Sequence, residues 1–221
     1  MSGGPTSGGT ALRRLVLATR NPNKRREIEA VYAYLPLTLV SLADYPETGD
    51  LPEEGATYAE NALAKARPVA AATGLVAIAD DSGIEIAALG GAPGIHSARF
   101  LGGAATSAER NARVLALVQN VPAGRRTAWY RAVVAVALPD GVARVFEGAC
   151  AGAIAEAARG TGGFGYDPIF VPEGEAGTMA EIPPATKNRI SHRGRALRAA
   201  EPFLLQIFGL AVQDRVDAGG K

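Results

Sequence analysis

Two strand-like runs, Thr127–Leu138 and Val142–Ala149, are separated only by Pro139-Asp140-Gly141. So short a connection with turn chemistry can join only antiparallel neighbours, and the spacing predicts a β-hairpin. Earlier in the chain the apolar runs Leu12–Ala18, Leu37–Leu42 and Leu75–Ala79 are each separated by a segment with helical periodicity. Hairpin and helix-linked strands together predict an α/β fold with a central mixed sheet, helices on its faces and a groove between two lobes.

Asn21 reads as an N-cap with Pro22 at the first helical position, and Ile28, Val31, Tyr32 and Leu35 then recur at the spacing of a buried face. Thr57 and Glu60 form a capping-box pair opening a helix through Ala62, Leu63 and Ala66, which Pro68 is expected to kink or end. Leu75–Ala79 is expected to stop at Asp80-Asp81-Ser82-Gly83, with Ile84–Leu89 leading into a Gly/Pro-rich loop. Thr106 and Glu109 cap a further helix with Val114, Leu117 and Val118 on its inner face. Residues 160–191 read as a long irregular segment, the kind that is usually functional or disordered, before a final helix from about Arg193 to Phe208. No repeat or linker divides the chain, so the expected organisation is one two-lobed domain over residues 12–210. Residues 1–11 and 211–221 read as flexible tails.

The bulk charge narrows the choice of partners. At a net charge of +1 nothing calls for a nucleic-acid or membrane partner, and an anion must be bound locally. Cys150 is the only cysteine, which excludes an internal disulfide and a cysteine-built zinc site and fits a reducing cytoplasm. No apolar run approaches the ~20 residues of a membrane helix, and the first residues lack the parts of a signal peptide.

Four segments carry chemistry. In Thr19-Arg20-Asn21-Pro22-Asn23-Lys24 a strand ends, a helix begins and a lysine sits in the first turn. A helix start of this kind stabilises phosphate oxygens, although an ordinary capped helix with a solvated lysine has the same sequence and P-loop glycines are lacking. Glu53, Glu54, Asp80 and Asp81 form an acidic set, and adjacent carboxylates at a strand end repel unless a cation or proton sits between them. Magnesium suits such a pair together with phosphate oxygens; a solvated turn suits it equally, and a haloacid-dehalogenase-type phosphatase would want Asp-x-Asp there. Thr57, Asn61 and Lys65 share one helical face, opposite the alanine-rich one, from which Lys65 can reach a phosphate, although the helix judged alone favours a solvated lysine. Finally, Phe164-Gly165-Tyr166-Asp167, together with Lys187 and Ser191-His192-Arg193, offers a ring for stacking on a flat base, with Asp167 as acceptor and His192 and Arg193 as donors for its edge, although a His beside an Arg at a helix start is more often a satisfied capping neighbour.

Taken together these segments resemble the inosine/xanthosine triphosphate pyrophosphatase family, in order from Leu15 to about Leu197. The strings that carry the resemblance include Ala18-Thr19-Arg20-Asn21, Ala79-Asp80-Asp81-Ser82-Gly83, Leu89-Gly90-Gly91-Ala92-Pro93-Gly94, Ser97-Ala98-Arg99-Phe100 and Ser191-His192-Arg193. The resemblance implies an elongated α/β fold with a nucleotide cleft between two lobes, usually as a homodimer. It also implies hydrolysis of noncanonical purine nucleoside triphosphates to the monophosphate and pyrophosphate. By the same resemblance Thr19 to Lys24 cradle the triphosphate, Glu53 and Asp81 hold Mg2+, and Asp81 acts as base with Asp80 in support. Ser82 and Lys65 contact phosphate, while Phe164, Gly165, Tyr166, Asp167, Lys187, His192 and Arg193 form the base pocket. Arg20, where glycine is frequent, leaves the path of the phosphate loop open. Tyr58 and His96 stand where the family usually has phenylalanine and tyrosine. The nearest alternative is the septum-inhibitor family of pyrimidine triphosphate pyrophosphatases, and a nucleotide-sensing binding module without turnover is another.

Overall fold

The computed structural model describes residues 13–49, 51 and 53–210. The expected tails at 1–11 and 211–221 lie outside the described residues. The elements are β1 (Arg14–Leu17), α1 (Pro22–Tyr32), β2 (Thr38–Ser41), α2 (Tyr58–Thr73), β3 (Val76–Ile86), α3 (Ser107–Val118), β4 (Thr127–Ala137), β5 (Ala143–Ile154), β6 (Phe170–Pro172), α4 (Pro184–Ile190) and α5 (His192–Ile207), with short 3-10 turns between several of them. The six strands lie in the order β2-β1-β3-β4-β5-β6. β1 runs parallel to β2 and β3, and the pairs from β3 to β6 are antiparallel, so the sheet is mixed as the hairpin and helix-linked strands require.

Strand alternation sorts the core onto two faces. Ala77 and Ala79 of β3, with Val133, Ala135 and Ala137 of β4, pack on Ala62, Ala66, Val69 and Ala70 of α2. Ile78, Ala132, Val134 and Val136 face the other way, onto Ile28 and Tyr32 of α1 and Leu197, Ala200 and Leu204 of α5. The far ends of β3 and β4 carry a third cluster in which Ile84, Ile86 and Tyr130 meet Val114 and Val118 of α3 and Ile169 and Phe170 beyond β5. Gly148 on β5 lets the first turn of α5 lie against the sheet: a Cβ there would stand 2.2 Å from the His192 carbonyl oxygen and 2.4 Å from the Ala196 nitrogen.

Several expectations change. Asp80-Asp81-Ser82-Gly83 is not a turn. β3 continues through it, because each residue from Ala77 to Ile86 pairs with β4 and that ladder outweighs local turn chemistry. Pro68 does not end α2, which runs on to Thr73. Pro68 is itself exposed, while Val69 and Ala70 beyond it are fully buried and hold the last turn to the sheet. Leu117 is exposed rather than inward, since α3 buries the narrower stripe Asn111, Val114 and Val118. Residues 160–191 contain β6 and α4 as well as loops. Asn21, Thr57 and Thr106 cap their helices as expected, and the reciprocal box forms at Thr106, whereas the Glu60 side chain accepts from Ala56 N at 2.7 Å rather than from Thr57 N. Cys150 is buried.

Candidate active site

The first wall of the site is the junction of β1 and α1. Asn21 Oδ1 accepts from the backbone N–H groups of Asn23 at 2.9 Å and Lys24 at 3.3 Å, and Thr19 Oγ1 accepts from Asn21 N at 3.2 Å. Two first-turn donors are thus already used by the cap, and Asn21, Asn23 and Lys24 line the cleft. Arg20 turns away and donates to Gly49 O at 2.6 Å. Its φ is not left-handed, so the loop accommodates a side chain where glycine was expected.

Because β3 is continuous, Asp80 and Asp81 project to opposite faces of the sheet and do not confront each other. Asp81, on the α2 side, accepts from Asn61 Nδ2 at 2.9 Å, and its other oxygen lies 3.6 Å from Lys65 Nζ. Lys65 Nζ is also 2.7 Å from Glu53 Oε1. Burial raises the Asp81 carboxyl above its ordinary value, outweighing Lys65 and Asn61. Asp80 lies on the α1/α5 side with no side-chain exposure, held by Arg193 at 2.9 Å and Lys24 at 3.2 Å. Burial alone would push it up, but the Arg193, Lys24 and Lys65 charges hold it far below the carboxylate range. Asp80 Oδ1 is buried with no hydrogen-bond partner.

The opposite end of the cleft is aromatic. Phe164 presents its ring to Lys187 Nζ at 5.0 Å and to the Arg193 guanidinium at 5.4 Å. Asp167 gathers this end, accepting from Phe164 N at 2.7 Å, Lys187 Nζ at 2.5 Å and Tyr130 Oη at 3.3 Å. Gly163, at φ +67, leaves room for that contact; a Cβ would stand 2.0 Å from Asp167 Oδ2. Arg193 donates through Nε to Asp80, through Nη1 to Glu27 at 2.6 Å and through Nη2 to Ser82 Oγ at 2.8 Å, one N–H from each nitrogen of a group that carries five. His192 stacks on Tyr130 with ring centroids 4.4 Å apart. Burial, with Arg193 and Lys187 nearby, pushes its imidazole well below the ordinary value, so it is neutral at pH 7. Tyr166 donates to Ser97 O at 2.9 Å.

The model of the Ham1 family matches residues 15–203. The chain belongs to the Ham1 family. It is 48% identical over 191 residues to a protein of Geobacter sulfurreducens named dITP/XTP pyrophosphatase, covering 86% of this chain and 96% of that protein. A protein of the same name from Thermus thermophilus is 51% identical over 187 residues, covering 84% and 89%. Among solved structures, a HAM1 protein from Coxiella burnetii aligns with a TM-score of 0.79 at 39% identity, covering 87% of this chain and 98% of that one.

In this Ham1-family chain one cleft of about 270 Å³ brings together Asn21, Asn23, Lys24, Glu53, Asp81 and Ser82 with Phe164, Gly165, Tyr166, Asp167, Lys187, His192 and Arg193. Thr19, Arg20, Pro22, Lys65 and Asp80 do not line it; Lys65 and Asp80 act on it through their ion pairs. Glu27 is the residue that sequence reasoning missed, clamping Lys187 at 2.8 Å and Arg193 at 2.6 Å. Its spacing of three from Lys24 on one helix was a usable signal. Ser97, from one of the strings that carry the resemblance, and Ser107, Arg110 and Tyr130 also line the cleft, although no site role was expected for them. Among the described residues no group of three or more His, Cys, Asp or Glu side chains is arranged to hold a metal ion. No helix among them is long and apolar enough to cross a membrane.

Proposed function

We propose that this protein is a nucleoside-triphosphate pyrophosphatase that hydrolyses noncanonical purine nucleotides, ITP, dITP and XTP, to the nucleoside monophosphate and pyrophosphate. The consequence is a nucleotide pool from which these bases do not enter DNA or RNA. The observation that carries the reading is the single cleft with oxygen and ammonium groups for a triphosphate at one end and a stacking ring with polar edge groups at the other. Membership of a family whose curated relatives are named for dITP and XTP supports it. The reading covers one two-lobed domain over residues 12–210, since no linker divides the chain, a cytoplasmic setting, which the single cysteine fits, and a homodimer, on family resemblance.

The cofactor proposed is Mg2+. Glu53 and Asp81 supply hard oxygen donors at the cleft wall, and one or two carboxylates with substrate phosphates and water are what this ion takes. Bound there, it would offset triphosphate charge and polarise the phosphoryl oxygens. Asp81 takes a proton from water as that oxygen attacks the α-phosphorus; the bond to the bridging oxygen breaks and pyrophosphate leaves. Burial suits Asp81 to this by raising its proton affinity, and Asn61 fixes its orientation. Asp80 is a positioning residue in this scheme, holding Lys24 and Arg193 where they serve phosphate and base. Lys24, Lys65 and Ser82 receive phosphate oxygens. Phe164 stacks on the purine, with Gly165, Tyr166, Asp167 and Lys187 shaping the pocket, and the neutral His192 with Arg193 donates to a 6-oxygen that adenine lacks. Incubation with a panel of nucleoside triphosphates and Mg2+, separating pyrophosphate from orthophosphate, tests the reading.

A further inference from the structure

The contacts of Lys65 deepen this reading and rest on it for the identity of the ligand. The side chain is 5% exposed, and its ammonium stands 2.7 Å from Glu53 Oε1 and 3.6 Å from Asp81 Oδ1. The second Asp81 oxygen is taken by Asn61. Asp80 cannot supply a third ligand on this side, because it projects to the other face of β3 and its Oδ2 is held by Lys24 and Arg193. In the nucleotide-free protein the two carboxylates proposed for Mg2+ therefore already share a cation that belongs to the chain.

We infer that Lys65 competes with the divalent ion for Glu53 and Asp81, so that metal binds strongly only together with a triphosphate that gives the lysine another partner. A buried ammonium must keep anionic neighbours. Without nucleotide, an entering metal would have to displace Lys65 into a place that offers it none. When a triphosphate is present, its oxygens accept the lysine across the width of one flexible stem, and the carboxylates are released to the metal. Nucleotide and metal then raise each other's affinity, as linkage demands. Lys65 is thus an exchangeable counter-ion as well as a phosphate contact.

The test is calorimetric titration of Mn2+ into nucleotide-free protein. The expected result is weak binding to wild type and binding at least about tenfold tighter to Lys65→Met, since one like charge at contact distance is removed. The gain should vanish when Glu53→Gln is added. In wild type, saturating α,β-imido-ITP should tighten Mn2+ binding, and in Lys65→Met its further effect should shrink. Should Lys65→Met fail to fold, Lys65→Gln and the wild-type nucleotide linkage decide the matter. Equal Mn2+ affinity in wild type and variant, or no linkage with the nucleotide in wild type, overturns the inference. Pyrophosphate release without the Mn2+ gain would sink this inference alone, whereas the gain without pyrophosphate release would sink the activity and leave the competition standing.

Discussion

Asp80 and Asp81 are neighbours with opposite environments, and exchanging each for asparagine separates stability from catalysis. Asp80 is completely buried against Lys24 and Arg193, whose charges hold its carboxyl far below its ordinary value of 3.8. A carboxylate depressed in this way stabilises the fold above its unfolded value and loses that contribution as pH falls through the folded one. Asp80→Asn removes the charge while Lys24 and Arg193 stay buried. Breaking such a pair costs ~3–5 kcal/mol, with the lower figure fitting here because Arg193 keeps Glu27 and Ser82. For a domain of this size that lowers Tm by about 6–12 °C. Asp81 has the reverse sign: burial raises its carboxyl, so its ionised form opposes folding at neutral pH. Asp81→Asn keeps an oxygen for Asn61 and leaves Lys65 with Glu53, so its stability should change by no more than about 1 kcal/mol. Turnover should fall about a hundredfold or more with the loss of the base. Thermal denaturation at pH 7 beside steady-state kinetics checks both halves. Equal Tm values, or a larger drop for Asp81→Asn, would refute the assignment of one aspartate to the scaffold and the other to the reaction.

A divalent ion should be required, and excess chelator should abolish turnover, because Glu53 and Asp81 otherwise repel the substrate's charge; full activity in chelator would contradict this. The acid limb of kcat/KM, which reports the free enzyme, should lie above pH 3.8, since the base must be ionised and burial raises its value; a limb at or below 3.8 would exclude Asp81 as that group. Arg193→Ala should slow every substrate by releasing Asp80 and Glu27, so only the ratio of ITP to ATP in kcat/KM isolates base reading. That ratio should lose roughly ten- to hundredfold. An unchanged ratio would leave Arg193 a purely structural clamp.

The hairpin, the capped helix starts and the chain order of the site segments were legible because each depends on local chemistry: Pro139-Asp140-Gly141 at a turn, Asn21 and Thr106 accepting from the N–H groups of a first helical turn. Tertiary pairing was not legible. Asp80-Asp81-Ser82-Gly83 has good turn residues, yet ten successive pairs from Ala77 to Ile86 with β4 hold it extended. That one change removes the expected repulsion between the two aspartates and reassigns Asp80 from the cleft to the core beneath it. Tyr130 belongs to the site through a contact with Asp167 that no local pattern encodes, and for Glu27 only the spacing from Lys24 was local, its contacts with Lys187 and Arg193 being far away in the chain. The lysine between Glu53 and Asp81 is likewise invisible until α2 packs beside β3.

The most direct test of the proposed activity is the product of hydrolysis across ITP, dITP, XTP, ATP and GTP with Mg2+. Release of pyrophosphate and the nucleoside monophosphate, with ITP, dITP and XTP far ahead of ATP and GTP, is the predicted result. Orthophosphate as the product, or equal turnover of all five nucleotides, would contradict it.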